Sequence, residues 1–205
     1  MTKRLWRFLA AAALVGALGG TASASADSLV PGCPDALLSQ PFLRFLDPAS
    51  YALAPDGGFE SNGAGWSLSG ASVASENESY YLHSPADGRS LRLPSGSSAT
   101  SPESCVTMFY PTMRFVARNS GSPLSTLKVE ALYTDSLGLL RTTPVALLVG
   151  TGSWQPTLTL PLLTDLTALP LLTDGSFQVR FRFTPQGAGG SWSVDDVYVD
   201  PYQGR

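Results

Sequence analysis

Ser191-Trp192-Ser193-Val194-Asp195-Asp196-Val197-Tyr198-Val199-Asp200 reads as a β-strand with two adjacent carboxylates at its centre. Apolar side chains at every second position are the mark of an extended chain with one face on a core. If Val197 and Val199 face that core, Asp195 shares their side and Asp196 points outward. A carboxylate on an inner face is costly unless it is hydrogen-bonded or holds a cation. A second short acidic motif, Gly57-Gly58-Phe59-Glu60 followed by Gly65-Trp66, stands at the start of the same region.

Between the two motifs the chain breaks into short apolar runs separated by Gly, Pro, Ser and Asp clusters. Strands are expected at 66–74, 90–93, 107–118, 126–135, 145–149, 157–162, 177–184 and 193–199. Phe177-Gln178-Val179-Arg180-Phe181-Arg182-Phe183 swaps apolar and polar residues at every step, and Leu127-Lys128-Val129-Glu130-Ala131 does the same. No stretch has a long helical period with caps. Many short strands with turn signals between them predict an all-β fold, an antiparallel β-sandwich. Leu160-Pro161-Leu162-Leu163-Thr164-Asp165 recurs as Leu169-Pro170-Leu171-Leu172-Thr173-Asp174. Two copies are too few for a solenoid, so this reads as a local duplication in a crossover.

Upstream, Lys3, Arg4 and Arg7 precede an apolar run from Phe8 to about Gly20, and Ala24-Ser25-Ala26 follows. That is the layout of a secretory signal peptide over 1–26, and the apolar run is too short to span a bilayer. Residues 27–56, punctuated by Pro31, Pro34, Pro41, Pro48 and Pro55, read as a Pro-rich tether. Phe42-Leu43-Arg44-Phe45-Leu46 is expected to pack it on the domain at 57–205. The mature protein is thus expected to be secreted and to have no membrane span.

Cleavage after Ala26 leaves 179 residues with ten bases against sixteen acids, a net charge of −6. A nucleic-acid partner is not expected, because its footprint is a basic patch. Both cysteines, Cys33 and Cys105, survive cleavage, and in an oxidising compartment an even pair most simply forms one disulfide. Two free buried thiols are the alternative.

The composition offers little catalytic chemistry. There is no Gly-x-Ser-x-Gly elbow, and His83 is the single histidine, in a loop-like stretch where a hydrogen-bonding or surface role is expected. Histidine-built zinc sites are excluded by the same count. Glycosidases need two carboxylates facing across a sugar. Glu76 and Glu78 read as a solvated loop, and Glu130 as an outward strand residue beside Lys128. No phosphate loop or dinucleotide fingerprint is present. A hydrolase or lyase would need a cleft carboxylate pair or an Arg/Tyr/Lys cluster that the sequence does not display.

Gly57-Gly58-Phe59-Glu60 with Gly65-Trp66, His83-Ser84 with Ser90-Leu91-Arg92-Leu93, and Val194-Asp195-Asp196-Val197 together resemble secreted carbohydrate-binding modules with the galactose-binding-like jelly roll. The likeness covers roughly 57–93 and 176–200. Arg114-Phe115-Val116-Ala117-Arg118, Arg182-Phe183-Thr184-Pro185 and the run from Asp195 to Pro201 also resemble segments of uncharacterised secreted actinobacterial proteins, a likeness that brings no activity with it. The module resemblance implies a structural calcium held by Glu60 and Asp195, with backbone carbonyls and water completing a shell of six to eight oxygens. The metal-free alternative is that these carboxylates accept backbone N–H bonds or pair with arginine.

On the alternation above, the outward rows carry Arg114, Arg118, Lys128, Glu130, Arg180 and Arg182 and few aromatics. Arg114, Arg180 and Arg182 are the ligand-binding candidates, since an arginine fork suits an acidic glycan. Cross-strand pairing with Glu130 on a solvated sheet is the plainer account of the same residues. The expected function is a non-catalytic binding domain for a glycan. The alternative is a structural or protein-interaction sandwich that engages a cell-surface protein and has no sugar site.

Overall fold

The computed structural model describes residues 36–107, 110–135, 137–162 and 176–201. The expected signal peptide, Cys33 and the second copy of the repeat lie outside these residues. In chain order the strands are β1 (Leu38–Ser39), β2 (Tyr51–Leu53), β3 (Ser67–Ser69), β4 (Ser72–Ala74), β5 (Ser90–Pro94), β6 (Ser98–Thr100) and β7 (Ser104–Thr107). They continue with β8 (Thr112–Asn119), β9 (Thr126–Thr134), β10 (Leu140–Val149), β11 (Gln155–Pro156), β12 (Leu160–Pro161), β13 (Ser176–Gln186) and β14 (Ser191–Asp200). One 3-10 turn, Leu43–Phe45, lies between β1 and β2. Among the described residues no helix is long and apolar enough to cross a membrane.

The closing strand β14 is the spine of the first sheet. It pairs with β5 and β2 along its length and with β8, while β4 extends from β5, β1 from β2, and β11 and β12 from β8. The second sheet is built on β13, which pairs with β9, β6 and β7; β10 lies beyond β9 and β3 beyond β6. All pairings between named strands are antiparallel. The inner rows of the two sheets meet as expected: Met113 and Phe115 of β8, Leu127 and Val129 of β9, and Val179, Phe181 and Phe183 of β13 are all fully buried. Phe115 and Phe183 meet edge to face at 5.3 Å, and Phe59 and Trp66 of the opening motif close one end of this core at 4.8 Å. Each large ring removed from water in this way contributes about 2 kcal/mol or more.

Three departures from the sequence reading have local causes. The strand expected at 66–74 is two strands in different sheets, because Gly70 adopts a φ of +67° and turns the chain from β3 to β4. The strand expected at 107–118 divides in the same way into β7, on β13, and β8, on β14. Tyr110, at a φ of +51°, and Pro111 precede β8 and cannot continue a ladder. The edge strand β10 tolerates Pro144 because the register shifts between Pro144 and Ala146.

The tether boundary at residue 57 is also corrected. β2 is hydrogen-bonded to β14, with Tyr198 opposite Leu53 and Val199 opposite Ala52, so the sandwich begins well before the opening motif. Phe42, expected to pack on the domain, is fully buried with Tyr51 and Tyr198 in a second, smaller core. Its ring meets those of Tyr51 and Tyr198 edge-on at 5.2 and 5.7 Å.

Cys105 lies in β7, partly buried, and is not a free thiol.

Candidate functional site

The carboxylates of the closing strand are both buried, Asp195 at 1% exposure and Asp196 at 2%. Asp195, expected on the inner face, is instead buried on the outer face of the first sheet: it stands opposite Val116, while its neighbour Val194 stands opposite Ala117 in the core. Asp196 does not point out to solvent. The ladder to β8 shifts register between Asp195 and Tyr198, and Asp196 adopts a φ of +50°. The resulting irregularity breaks the simple alternation and leaves neighbouring side chains buried together.

Backbone donors take up most of this charge. Asp195 Oδ2 accepts the N–H of Glu78 at 3.0 Å and its Oδ1 accepts the N–H of Asp196 at 2.8 Å. Glu78 is fully buried, which corrects its reading as part of a solvated loop. Its Oε1 accepts the N–H of Leu82 at 2.7 Å, and its Oε2 accepts that of Tyr80. Asp196 differs: its Oδ1 is buried and has no hydrogen-bond partner. Burial and the neighbouring Asp196 charge push the Asp195 carboxyl far above the usual carboxylate range. Burial, then Glu78 and Asp87, raise that of Asp196, against the lowering effect of His83.

His83 and Asp87 complete the cluster. His83 Nδ1 and Asp87 Oδ2 are 2.8 Å apart, with His83 42% exposed and Asp87 9% exposed at the side chain. The ligand atoms of His83, Asp87 and Asp196 all lie within 4.8 Å of one another. Gly58 of the opening motif forms a wall beside them. A Cβ there would sit 3.4 Å from Asp196 Oδ1, 3.7 Å from His83 Nδ1 and 4.0 Å from Asp87 Oδ2. The neighbouring Gly57 is needed for a different reason: a Cβ on it would lie 2.6 Å from the carbonyl oxygen of Val197, against the closing strand. The two ends of the sandwich are thus fastened backbone to backbone, with Val197 N–H donating to Gly57 O at 3.0 Å.

Glu60, expected to share a cation with Asp195, is exposed, and its Oε1 accepts the N–H groups of Gly88 at 2.9 Å and Arg89 at 2.8 Å. Glu60 and Asp195 thus each accept hydrogen bonds from two backbone N–H groups. The sequence did not single out Glu78, Asp87 or Asp196 for this cluster. The only local signal was the four-residue spacing of His83 and Asp87.

The three candidate arginines have three different fates. Arg114 is corrected: it is 5% exposed and belongs to the structure, not to a ligand surface. Its Nε and Nη2 donate to Thr157 O at 2.9 and 2.6 Å, its Nη1 donates to Asp47 at 2.6 Å, and its guanidinium lies 4.2 Å over the Phe42 ring. The N-terminal segment covers this part of the outer face, which sequence alternation had left to solvent. Arg182 donates across the sheet to Glu130, which also receives Lys128 from its own strand. Burial works against ionising Glu130, but the bonds from Lys128 and Arg182 outweigh it and hold its carboxyl below the usual range.

Arg180 lines an open cleft. That pocket, about 220 Å³, is lined by Glu103, Tyr133, Phe177, Gln178 and Arg180 among others. Tyr133 and Phe177 form an aromatic pair at 6.0 Å along it. Most other aromatics are committed to the fold. Trp154 carries the Arg118 guanidinium 4.9 Å over its ring and accepts the Tyr80 hydroxyl at its carbonyl. A second cleft, about 300 Å³, runs between β10 and residues 155–158 and is lined by Leu147, Val149 and Leu158, with Trp192 also in its wall.

No protein-family model matches the chain, and no curated protein matches it. Solved structures do share its fold. The tandem CBM22-1–CBM22-2 domain of Paenibacillus barcinonensis Xyn10C superposes with a TM-score of 0.52 at 13% identity, over 76% of this chain and 46% of that one. The CBM22-1–GH10 modules of Clostridium thermocellum xylanase 10B, complexed with xylohexaose, give 0.51 at 15% identity, over 71% of this chain and 28% of that one. The chain therefore spans under half the length of either. At these identities the likeness establishes the fold, the jelly-roll sandwich of carbohydrate-binding modules.

Proposed function

We propose that this protein is a secreted, non-catalytic carbohydrate-binding domain and that Arg180 belongs to its ligand site. The observation that carries the reading is the pocket at Arg180 on a sandwich whose fold is that of carbohydrate-binding modules. Gln178 and Glu103 supply hydrogen-bonding groups for sugar hydroxyls, Arg180 a charge-assisted donor fork, and Phe177 an apolar wall. The neighbour solved with xylohexaose makes xylo-oligosaccharides the first probe, followed by acidic glycans that would use the arginine charge. Export rests on the basic, apolar and small-residue sequence of the N-terminus.

A glycan array on the mature chain, with titration calorimetry on the best hit, tests this. Arg180→Ala is expected to weaken binding about tenfold or more, the loss of one charge-assisted hydrogen bond of about 2 kcal/mol. Equal binding by the variant would remove Arg180 from the site.

The second reading is a protein-interaction sandwich without a sugar site. The apolar cleft favours it, because Leu147, Val149 and Leu158 are 64%, 81% and 82% exposed there. Silence across neutral and acidic glycans would move the assignment to this reading.

A further inference from the structure

We propose that His83 Nδ1, Asp87 Oδ2 and Asp196 Oδ1 form a site for a divalent first-row transition metal, with zinc the ion to test. This goes beyond the carbohydrate reading and does not depend on it. The sandwich encloses several carboxylates near the junction of its opening and closing motifs. Glu78 and Asp195 direct both of their oxygens to backbone N–H groups. Asp196 Oδ1 is left buried without a partner, and an unpaired buried carboxylate oxygen is the costliest member of such a set. The groups nearest to it in kind are a second carboxylate and an imidazole nitrogen, all three within 4.8 Å of one another. They border the space in front of Gly58, where any other residue would project a Cβ against the ligand atoms.

The donor set decides which cation fits. Calcium takes six to eight oxygens, and one of the three converging atoms is a nitrogen. Imidazole with carboxylates suits zinc and its neighbours in the first row, at metal–ligand distances of about 2.0–2.2 Å. Three protein ligands leave a fourth position for water. His83, 42% exposed, provides the route from solvent. The ion would also offset the mutual repulsion of Glu78, Asp87, Asp195 and Asp196, which no arginine or lysine is seen to relieve among the described ion pairs. Glu60 and its loop contacts lie outside this ligand set.

The test uses the mature chain stripped with a chelator and titrated separately with zinc and calcium salts. Binding is read by calorimetry and stability by thermal melting. One zinc per chain is expected, with a melting temperature that rises by several degrees when zinc is about 100-fold above its Kd. His83→Ala is expected to lose at least about tenfold in zinc affinity and to melt with the parent in excess chelator, since its ring is half exposed. Glu60→Gln, which keeps its acceptor oxygen, is expected to bind zinc as the parent does. Asp87→Asn provides a second ligand variant should His83→Ala melt early in chelator. The proposal is overturned if zinc does not bind, or if both ligand variants bind it as tightly as the parent. It also fails if calcium gives the larger stabilisation and Glu60→Gln abolishes it, which would return the site to the Glu60–Asp195 reading.

Discussion

Arg114→Ala is expected to lower the unfolding free energy by about 3 kcal/mol, because it removes charge-assisted hydrogen bonds to Asp47 and to the Thr157 carbonyl together with the packing over Phe42. The side chain joins three parts of the molecule: β8, the Thr157 carbonyl, and Asp47 in the N-terminal segment. Its loss leaves the Thr157 carbonyl without its guanidinium partner and uncovers the Phe42 ring. Urea unfolding gives the magnitude, and limited proteolysis gives the location, with the first cuts expected between residues 36 and 50. A stability change within ±0.5 kcal/mol, as for an ordinary surface position, would return Arg114 to the ligand candidates.

The same pair gives a pH dependence. Burial works to raise the Asp47 carboxyl, but the hydrogen bonds from Arg114, Tyr51 and the Ala49 N–H outweigh it and hold it below 3.8. The stabilisation is therefore complete above the unfolded-state value and is lost as pH falls through the lower folded-state value. The gap between parent and Arg114→Ala should be widest at neutral pH and should shrink as pH is taken below 3.8. A gap that widened on acidification would contradict the assignment. Tyr51 responds in the opposite sense: burial and the adjacent Asp47 push its hydroxyl up to about 12.

Trp192→Ala is expected to cost about 3–5 kcal/mol, the range for emptying a large buried aromatic site. Trp192 is 1% exposed at the centre of the first sheet, and its indole N–H donates to Ser125 Oγ at 2.9 Å. Ser125 is itself fully buried, so truncation also leaves a hydroxyl without its donor. Trp192→Phe keeps much of the packing and removes that donor, for an expected cost of about 1–2 kcal/mol. Denaturant midpoints of the two variants separate packing from hydrogen bonding. The phenylalanine variant being the less stable of the two would show that the packing account is wrong.

The alternating segments were legible because each buries one face in a continuous core. The inner rows of β8, β9 and β13 follow from period two alone. Outer faces were not legible in the same way. Arg114 and Glu130 alternate as solvent-facing residues, yet both are buried. What covers Arg114 is Phe42 and Asp47, 72 and 67 positions earlier in the chain, and no local pattern encodes that contact. Glu78 shows the same limit: its polar surroundings in sequence suggest solvent, but its two oxygens organise the backbone from Tyr80 to Leu82.

The sequence by itself determined the class of this protein: short alternating strands closed at both ends by Gly-Gly-Phe-Glu and Asp-Asp motifs. It did so because strand period, turn residues and the need for glycine at a close approach are local properties. Only the tertiary structure decided what the acidic residues do. The register shift after Asp195 buries Asp196 and brings it to His83 and Asp87, more than a hundred positions away. It also divided the arginines into one locked in a seam, one paired on a sheet and one at the edge of a cleft. Those outcomes depend on which segment covers which face, a choice made by packing between strands far apart in the chain.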